Sequence, residues 1–232
     1  MPGMTVSPDE VARFDALAAR WWDPDGPMRP LHRMNPARVA WIAERIGSPP
    51  AGVILDVGCG AGVAAEALAR RGYSVLGIDA AGEAIEAARA HAAGQDLPLS
   101  YRGGVAEDLL GEGQRFPVIT ALEVIEHVPD PNAFIGTLRK LLAPGGRLFL
   151  STLNRTPQSF LAAKVGAEYL LRWLPIGTHD WRKFIAPNEL AAMLREAGLR
   201  ITDVAGLGVD PLTGRWQVCR NTSVNYLLAA RA

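Results

Sequence analysis

The segment Val53-Ile54-Leu55-Asp56-Val57-Gly58-Cys59-Gly60-Ala61-Gly62 constrains the fold more than any other stretch of this 232-residue chain. Five aliphatic or acidic residues read as a buried strand, the three alternate glycines as a tight turn, and the alanine-rich stretch after them as a helix. Glycines at a strand-to-helix turn let the backbone take left-handed conformations and approach a ligand closely, and the helix that follows presents free N–H groups. The pattern then repeats. Tyr73 to Ile78 reads as a second strand and Gly82 to Ala93 as a helix, followed by a weak third strand at Leu99 to Tyr101 and a fourth at Val118 to Leu122. Asp130-Pro131 opens a helix, and Arg147 to Ser151 reads as a fifth strand. Continuous apolar runs alternating with helices imply a parallel sheet covered on both faces. Asn188 to Ala197 adds a helix, and Ile201 to Ala205 with Val224 to Ala230 add two strands with no helix between them. The expected fold is therefore α/β and Rossmann-like, a seven-stranded mostly parallel sheet with an antiparallel last hairpin at one edge. Ahead of it, Ser7-Pro8-Asp9-Glu10 has the form of a capping box opening one helix, and Asn35-Pro36 that of a cap opening another, so helices are expected within 7–47. A chain of this length forms one domain spanning 1–232, with a long insertion at 160–184.

Composition excludes some classes of function. Lys plus Arg and Asp plus Glu number 24 each, so the chain as a whole lacks the positive field that holds a nucleic-acid backbone. Cys59 and Cys219 are too few for a disulfide framework or a zinc site and suit a reducing, cytoplasmic setting. The first residues lack a basic and apolar leader, and no run of about 18 apolar residues is present to span a bilayer, so membrane contact is expected to be peripheral.

The glycine spacing is G-x-G-x-G, with Val63 where a dinucleotide fingerprint needs its third glycine. Asp56 beside the turn repels a pyrophosphate but suits the ammonium group of an amino acid. Asp79, at the end of the second strand and seventeen residues past Gly62, suits a pair of ribose hydroxyls. S-adenosylmethionine (SAM) carries both groups, and Asp56 through Gly62 together with Asp79 resembles the SAM-binding signature of class I methyltransferases. In those enzymes the adenine lies near the residues corresponding to Val105, Ala106 and Glu107 and against the end of the fourth strand, here Leu122.

Glu123, Glu126 and His127 follow the fourth strand at i, i+3 and i+4, and a helical turn there aims all three into the cleft. Two carboxylates and an imidazole offer a divalent site, with Mg²⁺ chelating a catechol and lowering the pKa of its hydroxyl. Alternatively the carboxylates cap the turn or touch SAM, and His127 acts as the general base.

Read end to end, the chain resembles the ubiquinone O-methyltransferases. The resemblance is carried by Phe14 with Trp21-Trp22, Pro30 to Pro36 with Arg38, Ser151 to Arg155, Val165 to Tyr169, Gly177 to Trp181, Lys183 to Ile185 and Val224 to Tyr226; Leu122 stands where that family's pattern has methionine. It implies methylation of a 2-polyprenyl-6-hydroxyphenol and of 3-demethylubiquinol, SAM contacts at Arg38, Gly58, Asp79 and Leu122, a metal role for Glu123, Glu126 and His127, and a place in a ubiquinone-biosynthesis assembly. In the insertion, a helix over 160–174 gathers Lys164, Glu168 and Arg172 on one stripe and leaves a broad apolar face. That face suits either a membrane interface admitting a polyprenyl tail or a lid or dimer contact. Three other readings remain open: a methyltransferase for another small phenol or quinol, a SAM-binding subunit without catalysis, and a dinucleotide-dependent reductase, which the glycine spacing disfavours.

Overall fold

A computed structural model describes residues 6–161 and 181–232. The insertion expected at 160–184 therefore lies mostly outside the described residues. Eight strands form one sheet in the order β3-β2-β1-β4-β5-β8-β6-β7. Strands β1 (Ile54–Val57), β2 (Val75–Asp79), β3 (Leu99–Gly103), β4 (Phe116–Leu122) and β5 (Leu142–Leu153) pair in parallel. β8 (Asn225–Arg231) inserts antiparallel between β5 and β6 (Arg200–Val209), and β7 (Trp216–Cys219) pairs antiparallel with the outer side of β6.

The sheet differs from the sequence expectation in three ways. It has eight strands instead of seven, because Trp216–Cys219 pairs with the far end of β6. The two last expected strands do pair, but they do not sit at the edge; the C-terminal strand is internal, with β6 and β7 outside it. β5 begins at Leu142, directly after α6 (Pro131–Leu141), and its register jumps from Phe116↔Leu142 to Val118↔Arg147, so Pro144-Gly145-Gly146 is an irregularity within the strand.

Alternation along the strands divides the core between the two faces. Leu55, Ile119, Leu148, Leu150 and Leu228 pack with α6, α5 (Ala106–Gly111) and α7 (Pro187–Glu196). Their neighbours Ile54, Val118, Phe149, Leu227 and Ala229 pack with α2 (Arg29–Ile46) and α3 (Val63–Ala69). Successive side chains of a strand point to opposite faces, so both faces of a parallel sheet are apolar and a helical layer covers each.

The N-terminal segment departs from the capping pattern. α1 spans Pro8–Leu17, and a 3₁₀ turn continues it over Ala18–Arg20. Ser7 makes no side-chain cap bond, and Glu10 points into the molecule instead. α2 starts at Arg29 with Pro30 in its first turn, and Pro36 lies inside it. Asn35 is not a cap. Its buried amide donates to the Val63 carbonyl at 2.8 Å and ties α2 to the helix after the glycine turn. A tertiary hydrogen bond to a buried carbonyl outweighs a local cap that solvent would otherwise satisfy. Trp21, Met28, Phe14 and Leu31 then pack on Ala81 and Ala84 beside α4 (Gly82–Ala92), placing the N-terminal segment over the carboxyl ends of the strands.

Candidate active site

The strand order reverses between β1 and β4, and a cavity of about 510 Å³ opens there at the carboxyl ends of the strands, where open α/β sheets bind ligands. Its floor is the glycine turn. Gly58 (φ +67°), Gly60 (φ +52°) and Gly62 (φ +89°) are all left-handed. A Cβ on Gly58 would fall 2.4 Å from Val124 Cγ2, and one on Gly60 would fall 2.3 Å from Trp21 Cζ2. Glycine is thus required twice over, by conformation and by space.

Asp79 closes the turn: its carboxylate accepts from the Gly60 and Ala81 amides, each at 2.8 Å. Burial raises its pKa against the pull of these amides. Asp56 is fully buried and accepts from Thr120 Oγ1 at 2.6 Å, while its Oδ2 has no partner among the described residues. Burial pushes Asp56 up to about 6, with the Thr120 hydroxyl and the Arg38 guanidinium opposing the shift. An unpartnered, buried carboxylate oxygen on a residue that lines a cavity calls for a cationic donor from a ligand. Arg38 is also buried in α2. Among the described residues its only oxygen acceptor is Asn35 Oδ1, at 3.1 Å from Nε, and Glu123 and Asp56 stabilise its charge against burial. The cavity therefore offers a carboxylate for an ammonium and a guanidinium for a carboxylate on one wall.

Leu122, Val105 and Ala106 line the cavity, whereas two others of the site residues expected from the sequence do not. Gly62 lies behind the wall under the Tyr101 hydroxyl, as the cap of α3. Glu107 lies outside the cavity and accepts from Thr137 of α6 at 3.4 Å. One position inside α5 decides this, since its neighbour Ala106 lines the cavity instead.

Glu123, Glu126 and His127 do reach the cavity, but not on one α-helical face. Glu123 is left-handed (φ +59°), and a 3₁₀ turn begins only at Ile125. Each side chain is held separately. Glu123 accepts from Ser151 Oγ at 2.6 Å and from Asn225 Nδ2 at 3.2 Å. Glu126 accepts from Thr152 Oγ1 at 2.8 Å. His127 Nδ1 meets Glu10 Oε2 of α1 at 3.1 Å. Among the described residues no three His, Cys, Asp or Glu side chains converge as metal ligands, so the expected Mg²⁺ site does not fit this arrangement. Burial raises Glu126 to about 7, and the nearby charge of Glu123 adds to the shift. Burial alone would lower His127, but its bond to Glu10 and the charges of Glu126, Glu10 and Glu123 outweigh it and hold the imidazole above its usual value.

Residues 28–204 match the methyltransferase-domain family model. Over 239 residues, 98% of this chain and 96% of the relative, the chain is 47% identical to a ubiquinone biosynthesis O-methyltransferase of Methylobacterium nodulans. A protein of the same name from Acinetobacter baylyi is 46% identical over 98% of this chain and 97% of its own. The chain belongs to the ubiquinone biosynthesis O-methyltransferase family. It is accordingly a SAM-dependent O-methyltransferase. Among solved structures, magnesium protoporphyrin IX methyltransferase from Synechocystis with bound SAM has the same fold, at a TM-score of 0.65 and 18% identity over 99% of both chains. A possible histamine N-methyltransferase from Thermotoga maritima matches at 0.62 and 18% identity, covering 94% of this chain and 96% of its own.

The cavity of this family member also uses residues to which the motifs assigned no site role. Phe14, Trp21 and Met34, from segments that carried the family resemblance, enter from the N-terminal helices together with Glu10, and Leu207, Val209 and Trp216 from β6 and β7. A capping-box glutamate carries no sequence signal beyond local structure. Only docking of α1 over the sheet places it here.

Proposed function

We propose that the chain transfers a methyl group from SAM to a phenolic oxygen of a polyprenylated catechol, serving both O-methylation steps of ubiquinone biosynthesis. The observation that carries the cofactor assignment is the unpartnered, buried Oδ2 of Asp56, which lines the cavity together with Arg38. Asp56 receives the ammonium and Arg38 the carboxylate of the methionine moiety. Asp79 offers its remaining lone pairs to the ribose, and Leu122, Val105 and Ala106 form the apolar wall for the adenine. When bound, SAM supplies an electrophilic methyl group on a positively charged sulfur.

The acceptor is a phenol, which at a pKa of about 10 is mostly protonated near neutrality. His127 takes that proton as the oxygen attacks the methyl carbon, and Glu126 and Glu123 stabilise the imidazolium that forms. The apolar residues contributed by α1, β6 and β7 exclude water and favour an aromatic ring with a hydrocarbon tail. No helix among the described residues is long and apolar enough to cross a membrane. We place the protein on the cytoplasmic side, with 160–184 meeting the bilayer surface where the prenyl substrate resides and with membership of a ubiquinone-biosynthesis complex. The apolar and aromatic residues in the sequence of that stretch support this placement.

Labelled SAM incubated with long-chain and short-chain catechols, with and without a chelator, tests cofactor, acceptor and metal together. Transfer to short-chain phenols alone would favour a small-phenol enzyme. Loss of transfer on chelation would restore a metal role. Liposome flotation before and after deletion of 160–184 tests the membrane contact, and unchanged flotation would end it.

A further inference from the structure

We propose that Glu10 is the positioning residue for His127, so that the N-terminal helix completes the proton-accepting pair of the reaction. The inference rests on the reading of His127 as the base. The two residues are 117 positions apart, yet Glu10 Oε2 lies 3.1 Å from His127 Nδ1. Both side chains are 15% exposed and both line the cavity.

Glu10 occupies the place from which a first-turn carboxylate reaches back to cap its own helix, but Ser7 makes no cap bond and Glu10 turns inward. There it is flanked by cations. Lys183 Nζ lies 3.4 Å from Oε1, and Arg13 Nη1 lies 3.5 Å from Oε2. The hydrogen bond with His127 comes first among the influences that hold this carboxyl down at about 2, with the charges of Arg13 and Lys183 adding to it. An ionised carboxylate only accepts hydrogen bonds, so Nδ1 carries the hydrogen, and in the neutral ring that takes up the phenolic proton Nε2 is the nitrogen with the lone pair. Glu126 and Glu123 also act on the ring by their charge, but their hydrogen bonds go to Thr152, Ser151 and Asn225. Orientation of the imidazole thus falls to Glu10. Phe14, one turn further along α1, meets the same ring edge-on, with centroids 5.3 Å apart and planes at 85°. α1 accordingly fixes the ring by one polar and one apolar contact.

In the reaction the phenolic proton passes to Nε2, the oxygen bonds to the methyl carbon, and the carbon–sulfur bond breaks with its electron pair left on sulfur as a neutral thioether. Nδ1–H stays on Glu10 throughout, and the imidazolium gives its proton to solvent after product leaves. The base is therefore prepared only when α1 is docked, and Lys183, the third residue after the stretch 162–180, reaches the other oxygen of the same carboxylate.

The test uses the full-length protein with S-adenosylhomocysteine bound and its histidines ¹⁵N-labelled. There are four histidines, and the His127 signals are those missing from His127→Gln. In the wild type His127 shows hydrogen on Nδ1. Glu10→Met is expected to shift the ring toward the Nε2–H tautomer and to lower kcat by about 10- to 1000-fold, with KM for SAM within about threefold. Glu10→Asp is expected to recover part of kcat. Unchanged ¹⁵N shifts in both Glu10→Met and Glu10→Gln, or a fall in kcat matched by a rise in KM for SAM, would overturn the inference. Full activity in His127→Gln would overturn the base assignment instead, and the positioning role with it, and the spectra distinguish that failure from the first.

Discussion

Replacing Asp56 with asparagine is expected to make the empty protein more stable and a poorer binder of SAM. Asp56 is 2% exposed, hydrogen-bonded on one oxygen and unpartnered on the other, and its pKa rises from the usual 3.8 to about 6. A carboxyl whose folded pKa is raised costs stability wherever it is ionised in both states. The cost is absent below pH 3.8, grows between 3.8 and 6, and is complete above that. At about 1.4 kcal/mol for each tenfold change in the proton equilibrium, the full cost is on the order of 3 kcal/mol. Asparagine keeps an oxygen for Thr120 and removes the charge. Denaturant titrations of wild type and Asp56→Asn without ligand should therefore diverge above pH 6, with the variant more stable by up to about 3 kcal/mol, and converge near pH 4. The ligand narrows the difference from about 3 to below about 1 kcal/mol. SAM at 100 times its Kd adds about 2.7 kcal/mol to the wild type, whereas a variant whose Kd has risen about 100-fold gains only about 0.4 kcal/mol at the same concentration. If Asp56→Asn binds SAM as tightly as the wild type, or is less stable at pH 8 without it, Asp56 does not receive the ammonium in the way its environment indicates.

The same cavity yields other measurable outcomes. His127→Gln should lower kcat by about 100- to 10,000-fold while SAM affinity, read by calorimetry, stays unchanged. Arg38→Met should raise the Kd for SAM by about tenfold or more, because the guanidinium loses both its ligand partner and its neutralising role between Glu123 and Asp56. Gly60→Ala should cost about 2 to 4 kcal/mol in urea denaturation, from a left-handed backbone and a Cβ 2.3 Å from the Trp21 ring. Pairing it with Trp21→Ala should remove the steric share and leave about 1 kcal/mol beyond the cost of Trp21→Ala alone. Chelator treatment should leave SAM binding unchanged, since the subsites proposed at Asp56 and Arg38 need no metal.

Features carried by local chemistry were legible in the sequence. The strand–glycine–helix segment from Val53 to Gly62 specifies its own turn, because three left-handed residues in five demand glycine whatever surrounds them. Asp79 at a strand end, the parallel core strands and the Asp130 cap, whose carboxylate accepts from Ala133 at 3.0 Å, follow from short-range pattern and register. The cofactor could be read from those residues, and the acceptor from resemblance in segments outside the turn. What required the tertiary structure were the features in which a residue leaves its local partner for a distant one. Asn35 donates to Val63 instead of capping α2, the C-terminal strand inserts between β5 and β6, and Trp216–Cys219 adds an eighth strand. Glu123, Glu126 and His127 are in the cavity but are divided among Ser151, Asn225, Thr152 and Glu10 instead of gathered on a metal. Glu10 shows the physical reason most directly: its sequence position predicts a cap worth about 1 kcal/mol, which solvent can replace, whereas its partly buried hydrogen bond with His127 has no such substitute once α1 closes over the sheet.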